Sequence, residues 1–128
     1  KRKIPVTYGP VDAFPYKVEL KHENWRNIRH LVESGVKYGL MTDHPVMPSR
    51  QLFMQTRWFT RAGLSKQQAI ELVSRRNAEL LGIHKKLGTL EKGKWASFIC
   101  WNGDPFDITA YPLAVYGEGQ LLYEEARE

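Results

Sequence analysis

One short segment of the chain carries residues whose types and order could perform acid–base chemistry. Thr42-Asp43-His44-Pro45 follows an apolar run, Val36 to Met41, so two ionisable residues stand where a buried strand would end. A carboxylate in that position can accept a proton from a reacting water molecule. Taken alone, the segment also fits a turn aspartate or a helix N-cap, because a loop and a proline follow. For His44, an ordinary loop histidine and a residue lining a substrate pocket are equally good interpretations.

Residues that could bind a metal are few and widely spaced. The four histidines, His22, His30, His44 and His84, include no pair at a spacing of two and no zinc-protease arrangement. The single cysteine, Cys100, cannot form an internal disulfide or a cysteine-built zinc site, and we interpret it as structural. Since a hydrolytic metal site usually needs about three protein ligands, this sequence does not supply a complete one.

A strand, a helix and a second strand precede Asp43 and would position it. The β-branched and aromatic run Ile4 to Tyr8 ends at Gly9-Pro10, which predicts a strand followed by a loop. Apolar residues at helical spacing predict a helix over Trp25 to Ser34, with Asn24 as its N-cap. The run Val36 to Met41 then predicts the second strand.

The order strand, helix, strand is typical of a βαβ unit with parallel strands. In such units, chemistry gathers at the carboxyl edge of the strands. Asp43 and His44 fall at that edge, and Lys17 and Glu19 lie in the loop over it. The latter two are either substrate contacts or a solvated loop pair.

Helices and then β-structure follow. A stripe from Leu52 to Phe59 predicts one helix, ended by Gly63. Ser65 and Gln68 form a capping box that predicts a second helix, closed by Gly82. The predicted buried face of this second helix consists of Ile70, Val73, Asn77, Leu80 and Leu81. We interpret Asn77 as a buried hydrogen-bonding residue rather than a ligand.

After Lys86, glycines separate three β-like runs. These are Ala96 to Trp101, Leu113 to Tyr116 and Leu121 to Tyr123. Short runs of this kind predict a small antiparallel sheet packed on the helical part.

Composition sets broad bounds on the class of protein. The 128 residues are 42% hydrophobic and 26% charged, values normal for a globular protein. No apolar run approaches the roughly 20 residues that cross a bilayer, and the single cysteine suits a reducing, cytoplasmic location. The net charge is +5, but the basic residues are scattered, which favours solvated surface over a nucleic-acid site.

Three pieces of the chain resemble the metal-dependent amidohydrolase superfamily, especially its branch related to imidazolonepropionase. Glu33 to Pro45 resembles the helix, glycine and eighth barrel strand that deliver the catalytic aspartate. Ala62 to Ala69 and Asn77 to Ile83 are similar to the helix that leads out of the barrel. Leu87 to Lys94, with Asn102 to Pro105, resembles the turn that begins the last strands of a small β-sandwich.

The resemblance implies a fold and a set of roles. The fold class is α/β: residues 1–86 would be the C-terminal part of a TIM-like (β/α)8 barrel, and residues 87–128 part of a composite β-sandwich. Asp43 would be both catalytic residue and metal ligand, and His44 a substrate-binding residue. The intact enzyme would hydrolyse C–N bonds of amides or amidines, cyclic ones foremost, with water activated by zinc, iron or manganese. Ser97 stands where the family usually has aspartate, a change that bears on packing or turn formation.

The resemblance also implies partners, since the remaining metal ligands belong to strands that this sequence lacks. We expect the fragment alone to be inactive and to hold no tightly bound metal. Its expected partners are the missing N-terminal part of its own chain, a small-molecule substrate and further copies of itself, because strands cut from a closed sheet expose unpaired edges. We expect neither nucleic acid nor membrane as a partner.

Two other functions stay open at this point. One is a stand-alone structural or interaction domain derived from the same family. The other is a basic nucleic-acid-binding module, whose binding would weaken steeply with added salt.

Overall fold

The structure, a computed structural model, describes residues 4–13 and 17–126 and has a mixed α/β fold. Its elements are β1 (Val6–Tyr8), α1 (Ile28–Glu33), β2 (Tyr38–Leu40), α2 (Leu52–Arg61), α3 (Lys66–Val73), α4 (Arg75–Leu80), β3 (Phe98–Trp101), β4 (Pro112–Gly117) and β5 (Gln120–Glu124). Short 3-10 helices lie at Val18–Leu20, Trp25–Asn27 and Ser49–Gln51. In the part of the chain so described, every helix is too short or too polar to cross a membrane.

The first two strands pair in parallel, as the βαβ order predicts. Val6 lies opposite Tyr38 and Tyr8 opposite Leu40. The ladder extends by one bond at its carboxyl end, where the N–H of Met41 donates to the carbonyl of Tyr8 at 3.0 Å. Both strands therefore end at the same rim.

The connecting helix begins as its N-cap signal predicts. The side chain of Asn24 accepts a hydrogen bond from the N–H of Arg26 at 2.9 Å. The first turn is a 3-10 helix, and α1 continues from it to Glu33. Capping at Asn24 thus sets where the chain returns towards β2.

Helices cover one face of the parallel pair. The buried core consists of Val11, Ile28, Tyr38, Leu40, Phe59 and Leu72. Phe59 of α2 stacks on Tyr38 with ring centroids 5.7 Å apart. Tyr8 contacts the Phe59 ring edge-on, with centroids 6.5 Å apart. On the opposite face Thr7 and Met41 are exposed. One face of the pair is therefore packed, whereas the other is exposed at Thr7 and Met41 and covered by α4 at Gly39.

The predicted helix from Ser65 to Gly82 is in fact two helices. The capping box is confirmed: Ser65 and Gln68 exchange side-chain and backbone hydrogen bonds of 3.2 and 2.9 Å. The helix then breaks at Ser74, whose φ and ψ are −122° and −94°.

The break also makes the predicted buried face partly wrong. Leu81 is 72% exposed, while Ala69, Leu72 and Ala78 are buried. The reason is that a break rotates α4 relative to α3, so one helical period cannot run through both.

Asn77 on α4 forms hydrogen bonds with the edge of β2, which agrees with its predicted role. Its Oδ1 accepts from the N–H of Leu40 at 3.0 Å, and its Nδ2 donates to the carbonyl of Leu40 at 2.9 Å. Met41, the next residue, bonds to β1 on the other side, so Leu40 presents its peptide groups at the free edge. The amide of Asn77 satisfies there the donor and acceptor that a neighbouring strand would otherwise satisfy.

The C-terminal strands form the predicted antiparallel sheet, in the order β3-β4-β5. Phe98 lies opposite Tyr116 and stacks on it with centroids 4.8 Å apart. Ser97 accepts a hydrogen bond from the N–H of Glu118 at 3.0 Å, so it supports the turn between β4 and β5. The sheet meets the helical part where Phe53 of α2 contacts Trp101, at 5.6 Å between rings.

Candidate functional site

Asp43 lies at the carboxyl rim, three residues beyond the end of β2. Its carbonyl accepts from the N–H of Val46 at 2.8 Å, which places Asp43 at the start of a turn. The N-cap alternative is wrong, because Pro48 and Gln51 occupy the N-cap positions of the helices that follow. Among the described residues, none forms a hydrogen bond or ion pair with the Asp43 carboxylate.

The backbone of Asp43 is left-handed, with φ of 51°. Residues other than glycine adopt this region rarely and at a cost of about 1 kcal/mol. Asp12, which follows β1, has a similar φ of 60°. Left-handed backbone is found at functional sites and also in ordinary turns, where aspartate adopts it more readily than most residues do.

A cavity of about 240 Å³ opens beside Asp43, between the chain leaving β1 and the chain leaving β2. Among the described residues, its lining includes Tyr8, Gly9, Pro10, Ala13, Lys17, Glu19, Leu20, Glu23, Asp43 and Val46. The fold thus brings Lys17 and Glu19 to the same cavity as Asp43. His44 is exposed and does not belong to that lining. Its substrate-binding role stays a prediction.

Tyr8 and Glu23 form a hydrogen-bonded pair in the cavity wall, which the sequence did not predict. The Tyr8 hydroxyl donates to Oε1 of Glu23 at 3.2 Å. Burial of the ring, together with the neighbouring Glu23 carboxylate, raises the pKa of Tyr8 to about 12. The phenol therefore stays neutral, and remains a donor, well into the alkaline range.

Replacing Tyr8 by phenylalanine should change how stability depends on pH. Because folding raises the Tyr8 pKa from 10.0 to about 12, its contribution is complete below pH 10 and is lost as the pH rises towards 12. Urea unfolding between pH 9 and 12 should show a smaller alkaline loss in Tyr8→Phe than in the parent. Tyr111→Phe, which removes a hydroxyl from an exposed side chain, is the matched control. An identical alkaline loss in all three proteins would contradict the prediction.

Gln55 of α2 connects the two strand ends beneath the cavity. It is 2% exposed. Its Oε1 accepts from the N–H of Val11 at 2.6 Å, and its Nε2 donates to the carbonyl of Met41 at 3.1 Å. The sequence analysis missed this residue, although a signal existed: Gln55 lies three residues after Leu52 and four before Phe59, on the apolar stripe.

The described residues do not form a complete metal site. No three histidine, cysteine, aspartate or glutamate side chains converge within residues 4–13 and 17–126. The carboxylate of Asp43 is a suitable oxygen donor for a divalent cation, but it is one donor where about three are needed. Any metal at this rim would need further ligands from outside these residues.

Comparison with known proteins decides the family. The model of the amidohydrolase family matches residues 3–121. The chain belongs to the amidohydrolase family. A solved amidohydrolase from Thermotoga maritima is similar to this family member. The match covers 96% of the present chain, with 33% sequence identity and a TM-score of 0.88. A solved Xaa-Pro dipeptidase with methionine bound in its active site matches 79% of the chain, at 29% identity and a TM-score of 0.68.

This amidohydrolase-family chain covers a third or less of the length of these relatives. It spans 32% of the Thermotoga maritima protein and 25% of the dipeptidase. The curated amidohydrolase tasK of Hapsidospora irregularis is 24% identical over 95 residues, which are 74% of this chain and 10% of that protein. The predicted superfamily is therefore confirmed, whereas the imidazolonepropionase-related branch stays a prediction.

Proposed function

We propose that this chain is the C-terminal part of a metal-dependent amidohydrolase that hydrolyses C–N bonds of amides or amidines. One observation carries the proposal. In a chain that belongs to the amidohydrolase family, Asp43 stands at the carboxyl rim of a parallel strand pair and lines a cavity. The carboxyl rim is where barrels of this architecture carry their chemistry.

In the proposed mechanism, Asp43 moves the proton. Its carboxylate accepts a proton from the attacking water and delivers it to the leaving nitrogen. A divalent metal, with zinc foremost and iron or manganese as alternatives, would activate the water and polarise the substrate carbonyl when bound. Asp43 would also contribute one oxygen to the binding of that metal. The turn from Asp43 to Val46 keeps the backbone of Asp43 at the rim, from which its side chain lines the cavity.

The missing parts of the site come from the rest of a barrel in this proposal. The parallel pair with its helices corresponds to the last βαβ unit of a (β/α)8 barrel, and β3 to β5 to part of a β-sandwich. The TM-score of 0.88 over 96% of the chain, with only 32% of the Thermotoga maritima protein covered, supports this assignment. The N-terminal part of such a protein, carrying histidine ligands, would be the principal partner.

A chimera tests the proposal directly. In it, residues 1–128 replace the matching third of the Thermotoga maritima amidohydrolase. The purified chimera is assayed with zinc or manganese against cyclic amides, N-acyl amino acids and Xaa-Pro dipeptides. We expect metal-dependent hydrolysis of the C–N bond in at least one class, by ring opening for the cyclic amides and by release of an amine for the others. A folded chimera that binds metal but hydrolyses none would favour a non-catalytic domain derived from the family.

The isolated 128-residue chain should bind zinc only weakly. One carboxylate cannot replace a site of several ligands, so calorimetric titration should show no stoichiometric, sub-micromolar binding. Asp43→Asn should leave the weak binding almost unchanged, because exposed carboxylates elsewhere contribute equally. Tight, stoichiometric binding that Asp43→Asn abolishes would show that the chain completes a metal site by itself.

A further inference from the structure

We propose that Gln55 is a positioning residue for Asp43: its side-chain amide sets the distance between the chain leaving β1 and the chain leaving β2. The catalytic meaning of this positioning rests on the proposed function, whereas the positioning itself is a property of the fold. Gln55 does not line the rim cavity and would not touch substrate there.

The first argument is burial. Gln55 is 2% exposed and Val11 is 1% exposed, so neither polar group can turn to water instead. A buried peptide N–H that loses its acceptor costs about 1–3 kcal/mol. The hydrogen bond from Val11 to Oε1 of Gln55 spans 44 residues of sequence, and that from Nε2 to Met41 spans 14. One side chain thus joins three separate segments of the chain.

The second argument is the geometry of Met41. Its N–H donates to Tyr8 of β1 at 3.0 Å, while its carbonyl accepts from Gln55. The backbone N–H and carbonyl of Met41, which lies two residues before Asp43, are therefore both hydrogen-bonded. A displacement of Met41 would carry the turn that holds Asp43 with it.

The third argument is the space that Gly9 leaves. A Cβ at Gly9 would lie 2.1 Å from the carbonyl oxygen of Met41 and 3.3 Å from Oε1 of Gln55. The φ of Gly9 is 139°, which a side chain would strain further. Glycine at this position allows the strand ends to approach closely enough for a single amide to bridge them.

Only a group that both donates and accepts can make the bridge. Glutamine does so at every pH, methionine keeps the approximate shape without either bond, and glutamate donates only when protonated. Comparing glutamine, methionine and glutamate at position 55 therefore distinguishes a positioning role of the amide from simple filling of the core. Gln67→Glu, at an exposed position on α3, is the matched control for the negative charge that Gln55→Glu introduces.

The test uses amide hydrogen exchange and NMR on the 128-residue chain. In Gln55→Met, the Val11 amide should exchange at least about tenfold faster. The amide shift of Asp43 and its φ-dependent HN–Hα coupling should also change. Amides of the distant β4, such as Val115, should keep their parent values.

Gln55→Glu should be rescued by protonation. Burial raises the pKa of such a carboxyl group, so near pH 4 it is neutral and should give the parent pattern at Val11 and Asp43. Near pH 8 it is charged and faces the Met41 carbonyl, so the pattern should be lost. Gln67→Glu should behave as the parent at both pH values.

Two results would overturn the inference. One is a Gln55→Met protein with unchanged Val11 exchange and unchanged Asp43 signals. The other is a Gln55→Glu protein that is equally perturbed, or equally unfolded, at pH 4 and pH 8. An Asp43→Asn chimera that keeps its activity would remove the proposed function and leave these results standing.

Discussion

Asp43→Asn in the active chimera should lower kcat/KM by at least about 1000-fold. General acid–base catalysis alone contributes about 100- to 10,000-fold. Asparagine cannot accept the proton from water, and its amide is a poorer metal ligand than a carboxylate. Steady-state kinetics with saturating metal measures the loss. Metal content of the purified protein, determined in parallel, separates lost proton transfer from lost metal.

Asp12→Asn is the matched control for Asp43→Asn. Asp12 is also exposed, also left-handed with φ of 60°, and also follows a strand of the parallel pair. It does not line the cavity beside Asp43. Asparagine tolerates a left-handed backbone, so kcat/KM should stay within about twofold of the parent. Equal effects of the two substitutions would count against any special role for Asp43.

Gly39→Ala should destabilise the chain by about 3 kcal/mol. A Cβ at Gly39 would lie 1.9 Å from Oδ1 of Asn77 and 2.8 Å from a methyl of Leu80. The new methyl must therefore push α4 away from β2. Overpacking of this kind costs about 1–3 kcal/mol, and unsatisfied peptide groups at Leu40 add a similar amount. Urea unfolding, followed by circular dichroism, measures the change in the free energy of unfolding.

Gly103→Ala is the control for the glycine substitution itself. Nothing lies within 4 Å of a Cβ at Gly103. Alanine there should change stability by less than about 1 kcal/mol, in either direction. The double variant Gly39→Ala with Asn77→Ala tests the mechanism, since its loss should be smaller than the two single losses added together. Strict additivity would mean that Gly39 and Asn77 act separately.

Local signals in the sequence were enough for much of this fold. The N-cap at Asn24 and the capping box at Ser65 each depend on residues within three positions, so their chemistry is visible in the printed chain. The antiparallel strands after Lys86 follow from glycine-separated β runs. The parallel pairing follows from the order of strand, helix and strand. The same order put Asp43 at the carboxyl rim.

The tertiary structure alone decided how that rim is held. Gln55, Asn77 and the Tyr8–Glu23 pair act across 14 to 44 residues of sequence, a range over which no periodic pattern carries information. The break at Ser74 was not visible in the sequence either, and the helix that follows it brings Asn77 to the edge of β2. The position of Asp43 after the second predicted strand, together with the resemblance to the amidohydrolase family, selected it as the candidate catalytic residue. Long-range hydrogen bonds, made only when distant segments pack together, join the chain leaving β1 to the chain leaving β2, which carries Asp43.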